Sequence, residues 1–436
     1  MPGCEQKCEQ APLASRQPDN DLDVRLRHAY PSRPYEGSAL RRSDAGLAGT
    51  PRIDVRGLGV GVVPAPTPQL WEVPTMSESM ALVGLDVHKS QTVAAVLDPV
   101  SGELRVERLR GEPERVVPVF LEELERPVEA VYEAGPTGFV LARVAEQRGL
   151  DIRVVAPGSI PRAPGDRVKT DRRDAKRLVR LFAAGELRFA FVPSEVDERF
   201  RDLVRCIDDV RRDLMRARHR LSKFLLRRGV RFAGKAWTQQ HERWLCTLHF
   251  EDPLSQATFV DYQCAVQGLA QRRKTLTGVL EAAVPDSSHA ETVSRLRCFR
   301  SIDTLTAAGL CAEVGDFTRF PKPALLAGFL GIVPSEYTSD EKRTQGHITK
   351  AGPSNARRLL VEAAHNCRHR PAVGENLKAR QSGQDPRVVR IAWRCQQRLH
   401  QRWMHLAGKR GKPAGTVAVA CARELAAFCW EAATLD

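Results

Sequence analysis

From residue 81 the chain switches repeatedly between two apolar periods, and the order of those switches limits the folds open to it. The run "ALVGLDVH" is apolar and carries Asp86 near its end. "QTVAAVLDP" follows, then a turn, then "ELRVERLRG" with period-two alternation; all three read as strands. "EPERVVPVFLEEL" has the helical period. "PVEAVYEAG" reads as a strand that ends in Glu133 and is stopped by Gly135 and Pro136. "GFVLARVAEQRG" is a helix closed by Gly149, and "DIRVVAP" is a further strand. A basic helix comes last, "KTDRRDAKRLVRL", residues 169–181.

Three meandering strands followed by alternating helices and strands is the arrangement of a ribonuclease-H-like α/β fold. In that arrangement Asp86 and Glu133 sit at neighbouring strand ends. The closing helix, which carries Asp171 and Asp174, packs across them. Positions i and i+3 share a helix face, so the last two carboxylates point the same way. Two readings of the pair stand side by side. In one, the acids are local partners of Arg172, Arg173, Lys176 and Arg177. In the other, all four acids converge and hold divalent metal. Clustered carboxylates repel unless cations are present, and a pair of Mg²⁺ ions would both relieve the repulsion and polarise a phosphate. The surrounding arginines would then hold the phosphate backbone of DNA or RNA.

The charge balance fits a polyanionic partner. Lys and Arg number 67 against 53 Asp and Glu, a formal net charge of +14. Arginine dominates, and its planar fork suits phosphate. The plain alternative is a basic protein with no such partner. The 11 cysteines are scattered without a C-x-x-C pair, which argues against a zinc ribbon or redox motif. The nine beyond Cys8 read as buried thiols of a cytoplasmic protein. No apolar run is long enough to span a membrane, and the N-terminus has no signal-peptide core.

The expected organisation has four parts. Residues 1–79, rich in Pro, Gly, Arg and Asp, read as a disordered extension, one that an early assigned start codon would explain. Residues 80–195 form the α/β domain. Residues 196–290 form a helical region. There Phe200, Leu203, Ile207, Val210, Leu214, Ala217, Leu221 and Phe224 follow steps of three and four, a heptad seam. A second, less regular seam runs through Phe259, Tyr262, Val266, Leu269, Leu276 and Val279. The two seams suit an antiparallel coiled-coil arm, a dimer seam or amphipathic core helices. Residues 291–436 form an all-α C-terminal domain with a short irregular insert, "PSEYTSDEKRTQGHITKAG", and terminal helices.

Four stretches carry a family resemblance: "GLDVHKSQTVAAVLD", "YEAGPTG", "KTDRRDAKRL" and "GIVPSEYTSDEKRTQGHITKAGPSNARRLLVEAA". In order, over about residues 82–432, the chain resembles the IS-one-ten family of insertion-sequence transposases. These are DEDD recombinases with a RuvC-like nuclease domain. The resemblance puts the family's four acids on Asp86, Glu133, Asp171 and Asp174, with Mg²⁺ as cofactor. It implies a DNA recombinase that excises and inserts its own element, paired with a structured non-coding guide RNA. It further implies a homo-oligomer, dimer or tetramer, working on the nucleoid in the cytoplasm.

The resemblance also implies a serine nucleophile in the C-terminal domain, best matched by Ser339. Such a hydroxyl would hold a DNA end as a phosphoserine and conserve the bond energy. Lys342 and Arg343 would stabilise charge on the phosphate. Read from the residues alone, Ser335 and Ser339 are ordinary loop serines. Lys350, Arg357 and Arg358 suit phosphate contact or a solvated basic face equally. Two departures from the family pattern stand out. Asp340 follows the serine where the family commonly has glycine. Ser301-Ile302-Asp303 replaces a Gly-x-Gly turn, and Asp303 would repel a phosphate there. Beside the recombinase, a structure-selective nuclease without a covalent intermediate and a decayed DNA-binding copy remain open.

Overall fold

The structure, a computed structural model, describes residues 80–124, 127–161, 170–339 and 342–435. The expected extension at 1–79 and the departure at Asp340 lie outside the described residues. β1 (Ala81–Val87), β2 (Gln91–Leu97) and β3 (Leu104–Arg110) form an antiparallel meander. α1 (Pro113–Glu122) leads to β4 (Val128–Glu133), which runs parallel to β1. α2 (Val140–Gln147) leads to β5 (Asp151–Val155), parallel to β4, and α3 (Asp171–Ala183) closes the unit. The sheet order is β3-β2-β1-β4-β5. The element order is the one expected from the sequence.

Strand alternation divides the sheet into two faces. Val83 and Leu85 of β1 and Ala130 and Tyr132 of β4 pack with Phe120 of α1 and Leu141 of α2. On the other face, Leu82, Val93 and Ala95 meet Ala175 and Val179 of α3. Val131 and Val155 meet Leu178 of the same helix. Where α3 crosses β1, the strand has Gly84. A Cβ there would lie 2.6 Å from the Ala175 carbonyl oxygen and 2.7 Å from the Val179 nitrogen. The absent side chain therefore sets how closely the helix seats on the sheet.

α4 (Glu195–Arg227) is long enough to serve two cores. Its first turns contribute Phe200, Val204 and Ile207 to the C-terminal helical core. Its later turns pack Leu214, Ala217, Leu221 and Phe224 against Leu245 of α5 (Gln239–Thr247) and Phe259 and Val266 of α6 (Pro253–Ala283). The end of α4 meets the start of α6, so the pair is antiparallel. The first seam is buried as expected except Leu203, which is half-buried. The second needs one correction: Val279 is 51% exposed, and Leu280 is fully buried in its place. Steps of three and four counted from Phe259 through Leu276 arrive at 280, so the heptad rhythm runs on to Leu280.

The remaining helices are α7 (Ala290–Leu296), α8 (Thr304–Val314), α9 (Pro323–Phe329), α10 (Ser354–Ala364), α11 (Glu375–Gln381), α12 (Pro386–Trp403) and α13 (Ala414–Ala433). α13 buries Val417, Cys421, Leu425 and Cys429 among them. No helix among the described residues is long and apolar enough to cross a membrane. The cysteine expectation holds in part. Cys298, Cys311, Cys395, Cys421 and Cys429 are buried, whereas Cys246 and Cys264 are exposed on α5 and α6.

The insert expected to be irregular is a two-stranded antiparallel hairpin, β6 (Pro334–Ser339) and β7 (Lys342–Ile348). Its strands have no apolar face, so the period-two signal is weak. Gly346 makes room for Ser335. A Cβ at Gly346 would lie 2.5 Å from the Ser335 Oγ, which donates to the His347 carbonyl at 3.0 Å.

Candidate active site

β1 and β4 are in parallel register with Leu85 opposite Tyr132. Both of those side chains face α1 and α2, so the next residues, Asp86 and Glu133, face the α3 side at adjacent strand ends. α3 begins at the same place. Thr170 caps it, its side chain accepting from the Arg173 backbone N–H at 3.4 Å. Asp171 and Asp174 occupy the first turn, where the helix dipole favours negative charge. The close seat of α3 over Gly84 carries that turn towards Asp86.

Two residues not singled out from the sequence join the acids. His88 Nε2 lies 3.3 Å from Asp86 Oδ2 and 3.6 Å from Asp171 Oδ1. Gln91 Nε2 donates to Asp171 Oδ2 at 3.3 Å. Both come from the β1–β2 hairpin. The available signal was the i, i+2 spacing from Asp86 to His88 at the strand end, which puts both on one face. The quoted "DVHK" carries it.

Asp86, His88 and Asp171 each offer one ligand atom, and these lie within 4.8 Å of one another. Glu133 is exposed at the end of the next strand, and it and Asp174 stand outside this closest group. Burial pushes the Asp86 carboxyl above the ordinary aspartate value; His88 pulls it back, while the charges of Asp171 and Asp174 push it further up. The site is thus rich in negative charge. Two carboxylate oxygens and an imidazole nitrogen at this spacing are a donor set that fits a divalent cation.

The basic candidates fall into two groups. Arg172 and Arg173 are exposed beside the acids, Lys176 is half-buried, and Lys350 is exposed. Arg357 and Arg358 are engaged inside the chain. Arg357 Nη1 donates to the carbonyls of Leu330 and Ala351 at 2.8 and 2.7 Å. Arg358 Nη2 reaches Asp208 Oδ1 at 2.8 Å, and its Nη1 reaches Glu362 at 2.7 Å. Ser339 ends β6, paired with Lys342, and Arg343 pairs with Thr338. The side chains of Ser339, Lys342 and Arg343 lie outside those described. The departure at 301–303 has a local explanation. Asp303 caps α8, accepting from the Thr306 N–H at 2.8 Å. Ser301 holds a left-handed backbone, φ 73°, a conformation that favours glycine.

Two family models match the chain. A DEDD-type transposase model covers residues 83–228. A second, described as "Transposase IS116/IS110/IS902 family", covers 293–378. The chain is 40% identical over 356 residues to the "Putative transposase y4qE" of Sinorhizobium fredii, spanning 80% of this chain and 87% of that protein. It is 35% identical over 337 residues to the "Transposase for insertion sequence element IS1533" of Leptospira borgpetersenii, spanning 76% of this chain and 97% of that one. A Yersinia enterocolitica transposase, for element IS1328, is 25% identical over 51% of this chain and 66% of its own. With both models in chain order and close relatives aligned over most of their length, the chain belongs to the IS116/IS110/IS902 family of transposases.

Proposed function

We propose that this transposase cuts and rejoins DNA for insertion-sequence mobility, using a metal-dependent nuclease site at Asp86, Glu133, Asp171 and Asp174 and a serine nucleophile at Ser339. The observation that carries the reading is the meeting of β1, β4 and the first turn of α3 on one face of a sheet ordered β3-β2-β1-β4-β5, which supports a ribonuclease-H-like, RuvC-like reading of the domain. A bound divalent cation, Mg²⁺ in the simplest case, supplies Lewis-acid polarisation of the scissile phosphate. Asp86 and Asp171 would hold it, and Glu133 and Asp174 would complete the negative surround. Arg172, Arg173 and Lys176 grip the flanking phosphates on the exposed side of α3. Lys350 does the same beside the hairpin.

Ser339 Oγ attacks phosphorus, so an Oγ–P bond forms as a P–O bond to the departing sugar breaks. The serine hydroxyl gives up its proton to solvent, and the departing sugar oxygen takes one up and leaves as a hydroxyl. A second sugar hydroxyl later reverses the exchange and releases the serine, without loss of bond energy. Lys342 and Arg343 offset charge on the phosphate. A structured guide RNA and a second copy of the chain complete the assembly at the chromosome in the cytoplasm. The family resemblance is what supports these last points.

The test is a denaturing gel. Ser339→Ala keeps DNA binding but forms no protein–DNA adduct. An adduct that survives Ser339→Ala but not Ser335→Ala moves the nucleophile to Ser335, against its structural bond to His347. Cleavage that persists with no adduct in the wild type makes the chain a water-activating nuclease.

A further inference from the structure

We propose that His88 is a nitrogen ligand in the acid pocket, so that the site favours divalent ions that accept imidazole over Mg²⁺. This deepens the metal reading above and rests on it.

The spacing is the first argument. An ion about 2.1–2.2 Å from each donor separates adjacent donors by roughly 3.0–3.6 Å, the edge of an octahedron or tetrahedron. His88 Nε2 stands 3.3 and 3.6 Å from oxygens of Asp86 and Asp171. A charge-assisted hydrogen bond draws its partners to about 2.7–2.9 Å. The two contacts match a polyhedron edge, and the shorter is at the same time a long hydrogen bond to Asp86.

The second argument is placement. The His88 backbone N–H donates to the Gln91 carbonyl at 2.9 Å, so the hairpin fixes the residue at its base. Its side chain is 47% exposed and contributes little to the core. The ring nevertheless turns towards two carboxylates.

The third argument is donor chemistry. Mg²⁺ is hard, prefers oxygen and gives up water reluctantly. Imidazole suits later first-row divalent ions. Replacing one oxygen donor by Nε2 shifts the preference accordingly.

The experiment uses the nucleic-acid-free full chain with Mn²⁺ as the probe. Pulsed electron paramagnetic resonance reads ¹⁴N coupling to the bound ion, and calorimetry reads affinity for Mn²⁺ and Mg²⁺. The wild type is expected to show imidazole ¹⁴N modulation. His88→Ala loses that modulation and binds Mn²⁺ about tenfold more weakly, with a smaller change for Mg²⁺. His88→Gln, of similar size with an oxygen donor, also loses the modulation. Circular dichroism checks that each variant folds. Wild-type Mn²⁺ bound without ¹⁴N coupling overturns the proposal and leaves the carboxylate site standing. Mn²⁺ binding unchanged in both Asp86→Asn and Asp171→Asn overturns the carboxylate reading and this proposal with it.

Discussion

Asp86 and Asp208 are both largely withdrawn from water, and their surroundings are opposite. Asp208, on α4, has a side chain 10% exposed and is ringed by three arginines. Arg211 Nε lies at 2.7 Å, Arg358 Nη2 at 2.8 Å and Arg212 Nε at 3.1 Å. Burial alone would raise its pKa, yet those guanidinium groups hold it below the ordinary value. Asp86 has His88 beside it and two further acids within electrostatic reach; burial first, and then those acids, raise its pKa. The same residue type thus serves two purposes. An acid surrounded by arginines fastens helices of one chain together. An acid surrounded by acids is, on the function proposed above, arranged for a cation the chain does not supply.

The largest expected effect follows from the second purpose. Asp86→Asn or Asp171→Asn is expected to abolish DNA cutting and joining while DNA binding, measured by gel shift, stays within a few-fold. Removing a carboxylate from a crowd of like charges relieves repulsion, so neither substitution should lower the melting temperature. Asp208→Asn is expected to do the reverse. It leaves the partly buried guanidinium groups of Arg211 and Arg358 without their shared carboxylate at the α4–α10 junction and costs about 1–2 kcal/mol in chemical denaturation, solvent screening included. Metal binding by the pocket should be unchanged. Equal destabilisation by Asp86→Asn and Asp208→Asn would erase the distinction drawn here.

Acid titration sharpens the same contrast. The folded chain holds the Asp86 proton to higher pH than the unfolded chain does. Its contribution therefore turns unfavourable as pH rises from the ordinary aspartate range through the raised folded value. Asp208 releases its proton earlier when folded. Its stabilising contribution is full above the ordinary range and is lost as pH falls through the lowered folded value. In metal-free buffer, melting temperature against pH should steepen on the acid side for Asp86→Asn and flatten for Asp208→Asn. Parallel curves for the two variants would contradict the opposite shifts.

How far each region could be read from sequence differs for the same reason. The strand ends at Asp86 and Glu133 were legible because the apolar period, with Gly135 and Pro136 after β4, marked where those strands stop. The first turn of α3 was legible from the spacing of its acids. His88 and Gln91 were not, because their approach to Asp171 depends on how closely α3 seats on Gly84. Arg358 was open between a phosphate contact and a solvated face. Its partner Asp208 lies 150 positions away, and no local pattern links them. The hairpin at Pro334–Ile348 was hidden by the lack of an apolar face. Local periods reveal elements, and long-range charge pairing stays silent until the elements pack.

Gly84 tests whether that packing is what brings the acids together. Gly84→Ala puts a methyl group against the backbone of Ala175 and Val179, which has little room to give. Overpacking of this kind costs about 1–3 kcal/mol, partly offset by the lower chain entropy of unfolded alanine. The expected net loss is about 1–2 kcal/mol, with divalent-ion affinity falling as the first turn of α3 moves off Asp86. Loss of stability with unchanged ion affinity would mean that the acids hold their places without the close seat.

The smallest effect separates the two purposes at a third acid. The family resemblance implies a Gly-x-Gly turn where this chain has Asp303, and on that basis the acid would repel phosphate. Its carboxylate instead accepts from the Thr306 N–H and caps α8, a fastening role like that of Asp208. Ser301, two residues earlier, holds φ 73° with a Cβ that disfavours it. Ser301→Gly should therefore stabilise the chain by roughly 0.5–1 kcal/mol, since glycine reaches this conformation without steric cost. Asp303→Gly should cost only a few tenths, and Asp303→Ala about 1 kcal/mol, because glycine tolerates the cap position better than alanine. If Asp303 is purely a fastener, the double change to the family turn alters stability by the sum of its parts and leaves DNA affinity where it was. A large gain in DNA affinity in Asp303→Gly, beyond that of Ser301→Gly, would assign Asp303 to the phosphate path after all.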